Sequence, residues 1–146
     1  MRAVLLSLLL VGLLGPTAAA ASGPPPPPVT NYKAYFAARQ EVIFSRYVRD
    51  VTGDGRPDYL FVTAGKGCGD CMQQTLYVFS GSAAVFVRRG TDWAVRFEPG
   101  AHRRFITRNP KYSPGDAQCC ASRQLYREWA WNGKTFTVRR TWVAKK

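Results

Sequence analysis

Residues 125–143 read LYREWAWNGKTFTVRRTWV, from Leu125 to Val143. Apolar and polar side chains alternate on either side of Asn132-Gly133, which is the period of a strand. Asn-Gly suits a two-residue type I′ turn. That turn sets Trp131 opposite Lys134, Trp129 opposite Phe136 and Arg127 opposite Val138. Leu125, Trp129, Phe136 and Val138 then share one face, while Tyr126, Glu128, Thr137 and Arg139 share the other. A slip of one residue would set Trp129 against Thr137 and mix the two faces. The stretch predicts a hairpin with one buried side, and it decides for β structure.

Working back toward the N-terminus, the same kind of run recurs. EVIFSRYVRD, DYLFVTAG, QTLYVFS, AAVFVRR, WAVRFE and RRFITRN are short, β-branched or aromatic, and divided by Gly, Ser and Asp. Each reads as a strand. A turn-rich segment then runs on through Cys120. Only NYKAYFAARQEVIF changes period: Tyr32, Tyr35, Phe36, Arg39 and Ile43 recur at helical spacing, with Asn31 placed to cap. A short helix from Tyr32 to Arg39 follows. The expected fold class is mainly β (α+β): a small antiparallel sheet with one short N-terminal helix packed on it, stapled by disulfides.

The N-terminus reads differently. Arg2 precedes an apolar run from Ala3 to Leu14, and small residues follow at Ala18 to Ala21. A basic start, a short apolar stretch and an A-x-A site predict a secretory signal peptide over residues 1–21. The run is shorter than the ~20 residues a membrane span needs, and no cysteine follows it to accept a lipid anchor. Five prolines, Pro24 to Pro28, predict a stiff polyproline II tether over residues 22–30. Residues 31–146 remain for a single β-rich domain with one core. The expectation is a secreted or periplasmic protein, or one displayed at the cell surface.

The full chain carries 21 basic and 9 acidic residues, a net charge of +12. Removal of Arg2 with the leader brings this to +11. Such a balance favours anionic surroundings, for which an envelope polymer or lipid head groups are the expected partners; it also suits strand faces that are merely solvated. No specific nucleic-acid motif occurs.

DVTGDGRPD, residues 50–58, concentrates three aspartates in nine positions. A hard cation such as Ca²⁺ takes six to eight oxygens from carboxylates, carbonyls and water. Asp50, Thr52 and Asp54 can point into one tight turn, and the Arg56 carbonyl and Asp58 side chain could close the shell. Gly53 and Gly55 permit the backbone angles such a loop needs. The competing reading is an Asp/Gly-rich turn held by side-chain caps alone.

The stretch resembles the D-x-N-G-D-G-x-x-D loop of FG-GAP and VCBS repeats. The resemblance implies a structural Ca²⁺ held by Asp50, Thr52, Asp54 and Asp58, with Arg56 giving its carbonyl. It covers about a dozen residues in one copy, too few for a propeller of four or more blades. Thr52 replaces the usual Asn or Asp, which should lower affinity. An EF-hand is excluded, because Phe61 stands at the twelfth position, where a bidentate glutamate is required, and no helix pair flanks the loop.

Four cysteines fall as Cys68 and Cys71 in GCGDC, and Cys119 and Cys120 in QCC. In an exported protein an even count predicts disulfides. Adjacent cysteines bridge each other only with strain, so Cys68 and Cys71 are expected to pair with Cys119 and Cys120, in either order. Loops of roughly fifty residues closed this way stabilise by ~4 kcal/mol each. The alternative function is a thiol–disulfide or metal-handling protein using these four thiols. Against it, the residues after Cys71 read as a strand rather than a helix start, and Cys119-Cys120 lacks zinc spacing. SPGDAQCCASRQLYREWAWNGKTF is also similar to the closing part of LppP/LprE-type secreted envelope domains, over about twenty-five residues.

No catalytic motif is found. His102 is the single histidine, Ser113 and Ser122 have no nucleophile elbow, and Glu41, Glu98 and Glu128 are the only glutamates. Neither a P-loop, a dinucleotide fingerprint nor a metalloprotease helix occurs. The sequence therefore predicts an exported cell-envelope binding or structural domain.

Overall fold

The computed structural model of the protein describes residues 30–67, 73–117 and 120–146. The expected leader and all of the expected tether except Thr30 lie outside these residues. So do Cys68, Cys71 and Cys119, and with them the expected cysteine pairing.

One helix, α1 (Tyr32–Ala37), precedes eight strands: β1 (Glu41–Arg49), β2 (Asp58–Gly65), β3 (Gln73–Ser80), β4 (Ala83–Thr91), β5 (Ala94–Arg96), β6 (Arg104–Lys111), β7 (Arg123–Trp131) and β8 (Phe136–Lys145). The mainly β class expected from the periodicity is the one observed. The single small sheet is not: the strands form two antiparallel meanders, β1-β2-β3-β4 and β5-β6-β7-β8. Alternation identifies strands and buried faces, but says nothing about where one meander stops and the next begins.

Helix α1 starts where its cap predicts. The Asn31 side chain accepts from Ala34 N–H at 3.1 Å, satisfying one of the donors that a helix N-terminus leaves unpaired. The helix ends at Ala37 rather than at Arg39, because Gln40 takes a φ of +54° and turns the chain into β1.

The central strands β2 and β3 are buried on both sides. Leu60 pairs with Val78 and Val62 with Leu76; these four face the second sheet and join its core. Phe61 pairs with Tyr77 and Tyr59 with Phe79, on the opposite face beneath α1. Phe36 of the helix meets Phe61 and Tyr77 with ring centroids 5.1 Å apart in both cases. This double burial explains why DYLFV and TLYVF read as nearly unbroken apolar runs.

Across the molecule, Phe86 of β4 meets Trp129, Phe136 and Phe105 of the second sheet, edge to face at 5.0, 5.8 and 6.3 Å. Hydrogen bonds tie the sheets along their margin. Trp93 N–H donates to Gln74 Oε1 at 2.8 Å, Asn109 Nδ2 to the Thr91 carbonyl, and Thr135 Oγ1 to the Val85 carbonyl at 3.2 Å. The ring of Trp93 lies so close to Gly90 that an added Cβ would come within 2.6 Å of it.

The terminal hairpin forms with a different register. Trp131 pairs with Phe136 and Trp129 with Val138, two residues beyond the expected partners. The connection is the four residues 132–135. A type I′ turn needs positive φ at both central residues, and of the pair only Gly133 has it, at +96°. The Asn132 side chain instead accepts from Lys134 and Thr135 N–H, both at 2.9 Å, and builds a wider turn. A shift of two residues preserves the faces, so Trp129 and Phe136 still enter the core. A bulge between Glu128 and Trp129 then sets Glu128 opposite Arg140.

Candidate functional site: the aspartate loop and its surroundings

The loop 50–57 joins β1 to β2, and its base closes where Arg49 pairs with Asp58. Each aspartate secures backbone N–H groups. Asp50 accepts from Gly53 N–H at 2.6 Å through Oδ1 and from Gly55 N–H at 3.0 Å through Oδ2. Asp54 Oδ1 accepts from Arg56 N–H at 2.8 Å. Asp58 Oδ2 accepts from Val51 and Thr52 N–H, both at 2.8 Å. Gly53 and Gly55 take φ values of +76° and +81°, where a side chain would be strained.

Burial separates the members of the predicted ligand set. Asp58 is fully buried and Thr52 is 5 % exposed, whereas Gly53 to Arg56 are exposed. Two of the set's oxygens, Thr52 Oγ1 and Asp58 Oδ1, are buried with no hydrogen-bond partner. Among the described residues no three carboxylate, thiol or imidazole groups are gathered at metal-ligand spacing.

Sequence reasoning missed Arg103. Its Nε donates to the Thr52 carbonyl at 3.2 Å, and its aliphatic stem lies so close over Gly53 that an added Cβ would overlap it. Arg103 takes a φ of +63°, and its carbonyl accepts from Trp131 N–H at 2.8 Å. The loop of the first sheet is thus clamped to the terminal hairpin of the second. Nothing in the run around Arg103 signals this, because the contact spans about fifty residues of chain.

Two other polar centres are buried or capped. Glu41 accepts from Thr63 Oγ1 at 2.9 Å and from Tyr77 OH at 3.0 Å. Burial, and then the hydrogen bond to Glu41, push the Tyr77 hydroxyl well above the ordinary tyrosine range. Asp116 organises the turn-rich segment before β7, accepting through Oδ2 from Ser113 N–H, Ser122 N–H and Ser122 Oγ. The backbone N–H groups of Ser122 and Ser113 hold its carboxyl below the usual aspartate value. His102 is exposed. Among the described residues no helix is long and apolar enough to cross a membrane.

Fold and loop together define a two-sheet antiparallel β domain with an aspartate-capped turn locked between its sheets. The chain matches no family model, no curated protein and no solved structure.

Proposed function

We propose that this protein is an exported cell-envelope domain with a binding or structural role, whose 50–58 loop takes a Ca²⁺ ion. The observation that carries the proposal is the pair of buried oxygens without partners, Thr52 Oγ1 and Asp58 Oδ1. A buried polar atom left without a partner costs about 1–3 kcal/mol, and a cation would remove that cost at both positions. Asp50, Asp54 and Asp58 add carboxylate oxygens that keep acceptor capacity beside their N–H bonds, and Arg56 adds its carbonyl. Bound there, the ion would supply positive charge to the loop's carboxylates, drawing them closer than the capped turn holds them, and would fix the β1–β2 turn. The leader-like residues 1–21 support export, and the net charge of +12 supports an anionic partner.

Two disulfides between Cys68 or Cys71 and Cys119 or Cys120 belong to the same proposal. Gln73, at the start of β3, lies opposite Thr91, and the Thr91 carbonyl accepts from Asn109, near the end of β6. The described strand ends that precede one cysteine pair and follow the other therefore lie near each other, which supports the pairing.

Calorimetric titration of the purified protein with Ca²⁺ tests the loop, using Asp54→Ala and Thr52→Val. Saturable binding that Asp54→Ala abolishes, with a rise in Tm on adding the ion, is the expected result. No heat at millimolar calcium would reduce the loop to a capped turn. Thiol alkylation of the same sample before and after reduction counts the bridges, with two expected.

A further inference from the structure

Strand alternation turns Phe105, Thr107 and Trp129 into the core, so the residues between them face outward. Arg104, Ile106 and Arg108 of β6 therefore share the outer face of the second sheet. Register extends it sideways: Arg96 lies opposite Ile106, Ile106 opposite Glu128, and Glu128 opposite Arg140. In the next row Arg108 lies opposite Tyr126, and Tyr126 opposite Trp142. Four arginines thus share a strand surface with one carboxylate.

That carboxylate orients cations without neutralising them. Glu128 is 9 % exposed, and its Oε1 accepts from Arg104 Nη1 and Arg139 Nη1, each at 3.2 Å. One negative charge between two guanidiniums leaves the group positive. Each guanidinium has five donors and gives one of them to Glu128.

Two hollows open on this face. One, of about 440 Å³, is lined by Arg104, Glu128, Arg139, Arg140, Trp142 and Glu98. The other, of about 430 Å³, has Arg108, Gln124, Tyr126, Lys145 and Lys146 in its lining, with Asp92 at one side. Tyr126 lines one hollow and Trp142 the other, and their rings stack at 5.2 Å and 8° between them. Adjacent cationic hollows suit an occupant that carries negative charge at intervals along its length.

We propose that the outer face of the β5–β8 sheet binds an acidic polysaccharide, whose carboxylates or sulfates enter these two arginine- and lysine-lined hollows. This rests on the anionic-partner reading above and gives that partner a class and a place. Guanidinium forks pair with carboxylates and sulfates in bidentate geometry, and Gln124, Tyr126 and Glu128 offer hydrogen bonds to sugar hydroxyls. Single-stranded nucleic acid fits less well, because it binds by stacking bases on open aromatic rings. Here Tyr126 and Trp142 stack on each other, and the Arg140 guanidinium sits 4.9 Å over the Trp142 ring. A bilayer surface fits less well too, since it calls for projecting apolar side chains, whereas both rings are half-buried.

The test is calorimetry and tryptophan fluorescence of the purified protein with polygalacturonate, heparin, neutral dextran, oligo-dT and phosphatidylglycerol vesicles. Two triple variants of equal charge are compared: Arg96→Gln/Arg108→Gln/Arg140→Gln on this face, and Arg46→Gln/Arg49→Gln/Arg89→Gln on the other sheet. Both leave the Glu128 ion pairs intact, and circular dichroism confirms folding. The expected result is salt-sensitive binding of polygalacturonate and heparin, weakened about tenfold or more by the first triple and little by the second. Equal loss in both triples would overturn the location while leaving an anionic partner standing. Tighter binding of oligo-dT or vesicles would overturn the polysaccharide class. No binding to any polyanion would remove the anionic-partner reading altogether.

Discussion

Asp58 Oδ2 holds the N–H groups of Val51 and Thr52, while its Oδ1 lies buried without a partner. Removing the carboxylate strands two buried donors, at about 1–3 kcal/mol each. Asp58→Ala should lower stability by about 3 kcal/mol in chemical denaturation without calcium, and by more with it, because the stabilisation from the bound ion is lost as well. Asp54→Ala, at an exposed position capping only Arg56, should stay within about 1 kcal/mol without calcium. Thr52→Val removes an unpartnered hydroxyl, so its metal-free stability should be unchanged or higher and its calcium affinity lower. A lower metal-free Tm for Thr52→Val would mean that the hydroxyl already has a partner. At this scale much was legible: the glycines signalled the positive φ values at Gly53 and Gly55, and the caps made by the aspartates are those of the competing turn reading, which the ligand reading does not require. Arg103 was not legible, because its role comes from a through-space approach to Gly53.

At the scale of elements, short β-branched or aromatic runs between turn residues located the first six strands, alternation located the last two, and Asn31 located the start of α1. The turn at Asn132-Gly133 shows where local reading stops. The dipeptide permits a two-residue turn, but the Asn132 side chain has a second choice in the N–H groups of Lys134 and Thr135 and takes it. The segment before β7 has an analogous anchor in Asp116. Its folded carboxyl titrates below the ordinary aspartate value of 3.8. The stabilisation it contributes is therefore fully present above that value and is lost as pH falls through the lower, folded one. Protection factors for amide exchange at Ser113 and Ser122, each rate divided by the intrinsic rate at the same pH, should fall between about pH 5 and about pH 2. Asp116→Asn should show lower protection throughout, with little further acid dependence. A protection factor that stays constant across this window in the unsubstituted protein would mean that Asp116 does not hold the segment.

For the whole molecule, the decisive contact is Phe86 against Phe105, Trp129 and Phe136, because it joins one meander to the other. Phe86→Ala opens a cavity between the sheets and should cost about 3–5 kcal/mol. Val87→Ala, at the adjacent exposed position, should change stability by less than about 0.5 kcal/mol. Similar effects for the two would mean that the sheets are not coupled through Phe86.

The sequence by itself determined the β class, the strand positions, the capped helix start and the chemistry gathered in residues 50–58. All of these follow from spacing over a few residues, where backbone geometry dictates which side chains share a face. Only the tertiary structure decided that the strands divide into two sheets, that β2 and β3 are covered on both sides, and that Arg103 clamps the aspartate loop. It alone assembled the arginines of β5, β6 and β8 on one surface around Glu128. Those outcomes depend on which distant faces pack together, and that is settled by the total apolar area removed from water rather than by any local pattern.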